Sequence, residues 1–218
     1  SEAVSIYGKD SVPEWLPALE VRGEGIFLKL NEKTIQKWWS EQGHLYENRE
    51  KYRREWLKGV IENQKPNFTR SSSVHPSLIL THTLSHILMR QLIYMSGYDS
   101  SSLRERLYVS DDKEDQMCGI LIYTASGDSE GTLGGLISQG LSENLETIIR
   151  EAFQLEICSN DPICIETERQ GIEGLNGAAC HSCCLLPETS CEHSNTLLDR
   201  TYLFGLDEKK SGLMSYLD

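Results

Sequence analysis

Six of the seven cysteines, at positions 158, 164, 180, 183, 184 and 191, fall within 34 residues of one another. Cys180-His-Ser-Cys183 has the C-x2-C spacing at which one tight turn aims two thiolates at a single tetrahedral ion, as in a zinc knuckle. Cys158-Ser-Asn-Asp-Pro-Ile-Cys164 supplies a second pair across a proline-containing turn, and Cys191 is a further donor downstream. Four ligands complete a tetrahedral site, so one of Cys158, Cys164, Cys180, Cys183 and Cys191 is spare. An all-thiolate site has no open position and is structural, so that metal binding becomes folding energy. An odd count of cysteines, tight clustering and no secretory signal favour metal ligation in a reducing, cytoplasmic setting over a disulfide framework.

Two other groupings have the residue types for chemistry. His82-Thr-Leu-Ser-His86 stacks two imidazoles at i,i+4 on one helix face, with Arg90 continuing the row. Metalloproteases use such a pair with a Glu after the first His, but Thr83 stands there, so hydrogen-bonded core histidines are the favoured account. A metal-dependent nuclease or hydrolase using His82, His86, Asp128 and Glu130 is the alternative. The loop Ser126-Gly-Asp-Ser-Glu-Gly-Thr-Leu-Gly-Gly135 follows a strand and precedes a helix, as an anion nest would. It lacks the Gly-Lys-Ser/Thr of a nucleotide-binding loop, and its carboxylates would repel phosphate, which leaves a structural turn or a partner surface.

These groups need elements to hold them. Residues 15–30 read as a loop and then a strand, Asn31 as the N-cap of a helix through Trp38 and Trp39, and 46–61 as a charged helix. In that second helix Arg49, Arg53, Arg54 and Lys58 alternate with acidic residues. Solvated i,i+4 ion pairs are the expectation, with phosphate contacts through those four as a second possibility. Residues 63–75 form a polar connection. Pro76 opens a helix to about Ser96 that is apolar nearly all round and therefore buried. A short strand (106–109) and a continuous apolar strand (118–124) follow, the latter suited to a central position. A helix over about 143–157 with Ser142 as N-cap, and a last helix over about 194–204 closed by Gly205, complete the reading. The fold class is α/β, with α+β as the alternative, formed by a buried helix and central strands plus a four-cysteine zinc knuckle near the C-terminus. The expected organisation is an N-terminal subdomain over 1–70, a zinc-binding domain over 71–205 and an acidic tail over 206–218.

The charge is lopsided. Residues 1–110 carry 15 Lys+Arg against 13 Asp+Glu, whereas residues 111–218 carry 6 against 20, which together give the net −12. Affinity for nucleic acid comes largely from cations displacing counterions, so DNA contact belongs to the N-terminal half or to a partner. No apolar run approaches the roughly 18 residues of a membrane span. Ser1 in place of an initiating Met is the start expected of a piece of a longer protein.

The strings Thr81-His-Thr-Leu-Ser-His86, Gly119-Ile-Leu-Ile-Tyr-Thr-Ala-Ser126, Gly131-Thr-Leu-Gly-Gly-Leu136, Ala179-Cys-His-Ser-Cys183 and Leu197-Leu-Asp-Arg200 resemble the MrfA-type zinc-binding (MZB) domain family. Trp15-Leu-Pro-Ala18, Glu20-Val-Arg-Gly-Glu-Gly-Ile-Phe27 and Leu186-Pro-Glu-Thr-Ser-Cys191 are similar to the B components of DISARM anti-phage systems. The resemblance implies a structural Zn2+ on Cys158, Cys164, Cys180 and Cys183, with Cys191 as a substitute. It also implies a non-catalytic accessory role beside a superfamily 2 helicase subunit, assisting DNA recognition. No nucleotide-binding motif is present, so ATP hydrolysis would come from that partner.

Overall fold

The computed structural model describes residues 23–62, 75–110, 112, 116–124, 134–206 and 211–217. The Gly-rich loop up to residue 133, with Asp128 and Glu130, and the 63–74 connection lie outside them.

Three antiparallel strands, β1 (Gly25–Lys29), β2 (Leu103–Ser110) and β3 (Met117–Thr124), form one sheet in the order β1-β3-β2. β3 is central, as its unbroken apolar run requires, with Cys118, Ile120 and Ile122 buried. Ile26 pairs with Ile122, and Leu107 with Ile120. The sheet is antiparallel and the helices cover it from one side, so the class is α+β, the second of the two expected. β2 begins three residues earlier than its apolar run indicates, because strict alternation buries Leu103, Glu105 and Leu107 in turn.

Local chemistry sets the helix boundaries. Asn31 Oδ1 accepts the Lys33 and Thr34 amides (3.1 and 3.3 Å) and starts α1 (Glu32–Gln42). α2 (Glu47–Glu62) follows through a single 3-10 turn. α3 (Pro76–Ser96) starts with proline at its first turn and ends on Gly97 in the left-handed region (φ 70°). It is buried along almost its whole length and packs across β2 and β3. Burial on most faces reflects position in the core: among the described residues no helix is long and apolar enough to cross a membrane.

α4 (Gly135–Gln139) and α5 (Ser142–Ala152) pack beside α3. Two expectations change here. The helix expected over 143–157 is α5 only to Ala152, then 3-10 over Phe153–Glu156, and Ser142 is its first residue with no side-chain cap at Leu141. The last helix expected over 194–204 shrinks to α7 (Thr201–Phe204). Ser194, Asn195 and Leu197 all have positive φ, and Asn195 spends its amide on both backbone groups of Leu186 (3.0 and 2.7 Å), which competes with helix formation. Gly205 does close α7. α6 (Ile163–Glu166) carries Cys164, the second cysteine of the first pair. Residues 211–217 return to α1, where Trp38 Nε1 donates to the Ser211 carbonyl at 2.8 Å. Trp38, Tyr46 and Tyr202 pack edge-on and tilted in the same core as the interior face of α3.

Candidate metal centre

Cys158, Cys164, Cys180 and Cys183 converge, with their four sulfurs all within 4.8 Å of one another. Each pair is held by its own frame. Asp161 accepts the Cys158 amide at 2.8 Å through one oxygen and the Ile165 amide at 3.0 Å through the other, which fixes the turn between Cys158 and Cys164 and starts α6. The buried guanidinium of Arg200 locks Asp161 from behind and also bonds the Glu156 carbonyl. In the knuckle, the amides of Cys183, Cys184 and Leu185 all point at the Cys180 carbonyl (3.1, 2.9 and 3.1 Å). Arg90 of α3 then holds the knuckle's outer carbonyls: those of His181 and Leu185 (3.2 and 3.0 Å) through one nitrogen and that of Ser182 (3.0 Å) through the other.

The donor set fits zinc. A tetrahedral ion with Zn–S bonds near 2.3 Å separates its sulfurs by about 3.8 Å. Here Cys158–Cys180, Cys164–Cys183 and Cys180–Cys183 are 3.5, 3.8 and 3.8 Å apart. N–H groups that stabilise thiolate are already aimed at the sulfurs: Asn160 N at Cys158 (3.4 Å), Asn160 Nδ2 at Cys180 (3.3 Å) and Cys180 N at Cys183 (3.2 Å). The thiols titrate far apart. Burial pushes Cys158 up to about 11 and raises Cys164 too, while the Cys184 contact and burial raise Cys183. At Cys180 burial acts upward, but the Asn160 amide and the Cys158 thiol outweigh it and draw the group down to about 6. Four adjacent thiolates repel one another, and a dication is what makes all four stable together. Zinc held there would occupy a closed shell with no place for substrate or water, and it would tie the turn after α5 to the knuckle.

The fifth candidate ligand, Cys191, lies elsewhere, with its sulfur 3.2 Å from His82 Nε2. His82 and His86 are fully buried. Burial opposes their protonation, but Glu105 outweighs it and lifts them to about 9 and about 10. For Cys191 burial acts upward and His82 outweighs it, leaving the thiol at about 7. Glu105, which completes this buried group, is the residue that sequence reasoning passed over; the signal for it is a carboxylate in the inward phase of an alternating strand. Of the other two cysteines, Cys118 sits 2.9 Å from Thr81 Oγ1 and is pushed up to about 11 by burial. Cys184 is fully buried behind the knuckle.

The residues considered for phosphate contact divide. Arg49 and Arg53, expected in solvated ion pairs or on phosphate, instead point inward and are 6% and 1% exposed, which makes them core ion-pair residues. Both converge on one oxygen of the fully buried Asp199 (2.8 and 3.1 Å), and Arg53 also bonds Glu50, Tyr202 and the Leu175 carbonyl. The other Asp199 oxygen accepts from Ala178 N and from Thr201. Gly177 lies so close that a Cβ there would sit 2.0 Å from Asp199 Oδ2. Arg54 and Lys58 face solvent.

Residues 84–184, a span that includes all four clustered cysteines, match the MrfA Zn-binding domain (MZB) family. The chain is 40% identical over 195 residues to a DISARM protein DrmB of Bacillus paralicheniformis. The alignment takes in 89% of this chain and 34% of that protein, so the chain spans about a third of its relative's length.

Proposed function

We propose that this chain, which carries an MrfA Zn-binding domain and is similar to a DISARM protein DrmB, is a zinc-braced, non-catalytic module of a multi-component anti-phage complex. In this reading it docks on a superfamily 2 helicase subunit and assists that subunit's engagement of DNA in the cytoplasm, where thiols stay reduced. The observation that carries the reading is the closed set of four cysteine sulfurs, which builds a rigid surface and leaves no reactive position. His82 and His86, the only histidines with spacing suited to catalysis, are fully buried and cannot touch a substrate backbone.

Co-expression of the chain with the helicase subunit of a DISARM system tests it. Co-purification, and a rise in the helicase's DNA affinity on adding the chain, are expected; metal-replete chain that does neither overturns the reading.

Direct DNA contact in this reading uses the solvent face of α2, where Lys51, Arg54 and Lys58 are exposed. Each phosphate contact contributes about 0.9 to the slope of log affinity against log salt, so the double change Arg54→Ala/Lys58→Ala should flatten that slope by about two. The measurement is a salt titration of fluorescently labelled duplex with the complex. An unchanged slope would remove this face of α2 from the DNA contact.

A further inference from the structure

His82 and His86 stand one turn apart on α3, their rings edge to face with centroids 4.5 Å apart. Facing them are Glu105, turned inward from β2, and Cys191, in the segment after the knuckle. His82 Nε2 is 3.1 Å from Glu105 Oε1 and 3.2 Å from Cys191 Sγ, and His86 Nε2 is 3.4 Å from the same Glu105 oxygen. One donor atom from each of the four lies within 4.8 Å of the others, and all four residues are buried.

Hydrogen bonding within the group does not account for it. His86 Nε2 and Glu105 Oε2 are buried with no hydrogen-bond partner, a costly state for a polar atom in a packed interior. The outer contacts are those of metal ligands. His86 Nδ1 is 2.9 Å from the Cys184 carbonyl, so it carries a proton, and Nε2 is the nitrogen that would face a bound ion. Cys191 Sγ receives the amides of His193 and Asn195 (3.3 and 3.1 Å), and Glu105 Oε1 receives that of Glu192 (3.1 Å). Three of the four, His86, Glu105 and Cys191, are thereby oriented by backbone, whereas His82 Nδ1 is buried without a partner.

We propose that His82, His86, Glu105 and Cys191 form a second metal site, which takes Zn2+. Two imidazole nitrogens, a carboxylate oxygen and a thiolate are borderline donors suited to zinc. A tetrahedral zinc with bonds of 2.0–2.3 Å sets its donors roughly 3.3–3.6 Å apart, close to the observed separations. Four protein ligands leave no open position, and the burial leaves no path for substrate, so the site is structural: it rivets α3 to β2 and to the 191–195 segment. The Cys184 carbonyl on His86 sits next in sequence to Cys183 of the four-cysteine cluster, so the two centres share the knuckle as a wall. This inference is independent of the proposed role in defence.

The test is metal analysis of tag-free chain, incubated with excess zinc and freed of unbound ion by gel filtration. Two zinc ions per chain are expected. Cys191→Ser and Cys183→Ser should each reduce this to one, and the double variant to none. Zinc absorption spectroscopy on the unmodified chain covers the case in which a variant misfolds. Two such sites average about 2.5 sulfurs per zinc with imidazole scattering beyond, whereas the four-cysteine site alone gives an all-sulfur shell. One zinc per chain with an all-sulfur shell overturns the proposal and makes the group an ion-paired knot of protonated histidines, carboxylate and thiolate.

Discussion

Replacing Cys183 by serine is expected to remove one zinc ion per chain and to lower the melting temperature by at least about 10–20 °C, because a hydroxyl does not stand in for a thiolate at neutral pH. Structural zinc contributes about 10–16 kcal/mol in small zinc-folded units, against about 5–15 kcal/mol for the whole stability of a domain. The two loops that carry the cysteines have little regular structure of their own: α6 is one turn long, and their frame is Asp161, Arg200 and the Arg90 clamp on the knuckle carbonyls. A strong chelator added to the unmodified chain should reproduce the loss. Cys118→Ser is the control. Cys118 belongs to the β3 core beside Thr81, far from the cluster in role, and its replacement should leave zinc content unchanged and cost little stability. Metal analysis with thermal denaturation of the three proteins decides the matter. Equal zinc content in Cys183→Ser and the unmodified chain would remove Cys183 from the ligand set.

The second large effect is expected at Asp199. Asp199→Asn keeps the shape and the acceptor for Ala178 N but strips the charge that two buried guanidiniums share. Arg53 keeps Glu50, while Arg49 keeps only a long contact to the Thr167 carbonyl. Removing one partner of a buried ion pair costs about 3–5 kcal/mol, and at about 2–4 °C per kcal/mol in a chain of this size the melting temperature should fall by roughly 6–20 °C. The pH dependence has a definite sign. Burial raises the Asp199 carboxyl, Arg49 and Arg53 outweigh it, and the folded value lies below the ordinary one. The charge therefore stabilises the fold fully above the unfolded pKa near 3.9, and that contribution fades as pH drops through the folded value. Denaturation of both proteins from neutral pH downward should show the gap between them closing below about pH 4. A gap that stays constant would mean that the charge on Asp199 is not the source of the loss.

What was legible in advance depended on how far apart the partners lie. The Asn31 cap, the Pro76 start, the central strand and the C-x2-C turn are written in a few adjacent residues, and they are found where expected. Arg49 and Arg53 were not legible as core residues, since their partner Asp199 is 150 and 146 positions away. A trace existed: Tyr46, Arg49, Glu50, Arg53 and Leu57 follow helical spacing, a buried stripe with charges in its middle. Acid–base alternation on a solvated helix looks the same when no partner is known. The location of Cys191 was hidden for a related reason, because spacing alone makes it a plausible fifth thiol of the cluster while β2 and α3 place it against Glu105 and His82. The false helix over 194–200 came from composition; three left-handed residues there serve the Asn195–Leu186 contact.

The distances along the chain also dictate an order of assembly. The cysteine pairs that meet at the candidate zinc site lie 22 and 19 positions apart, so that loop closes cheaply and can form around metal as a local event. Arg49 is made long before Asp199 and cannot be buried until Asp199 exists. During synthesis α2 must therefore wait with both arginines hydrated, and its docking is the late, non-local step that closes the first part of the chain onto the finished zinc-bearing part. Changes at Asp199 should act on that closing step, and changes at Cys183 on the piece that it closes upon.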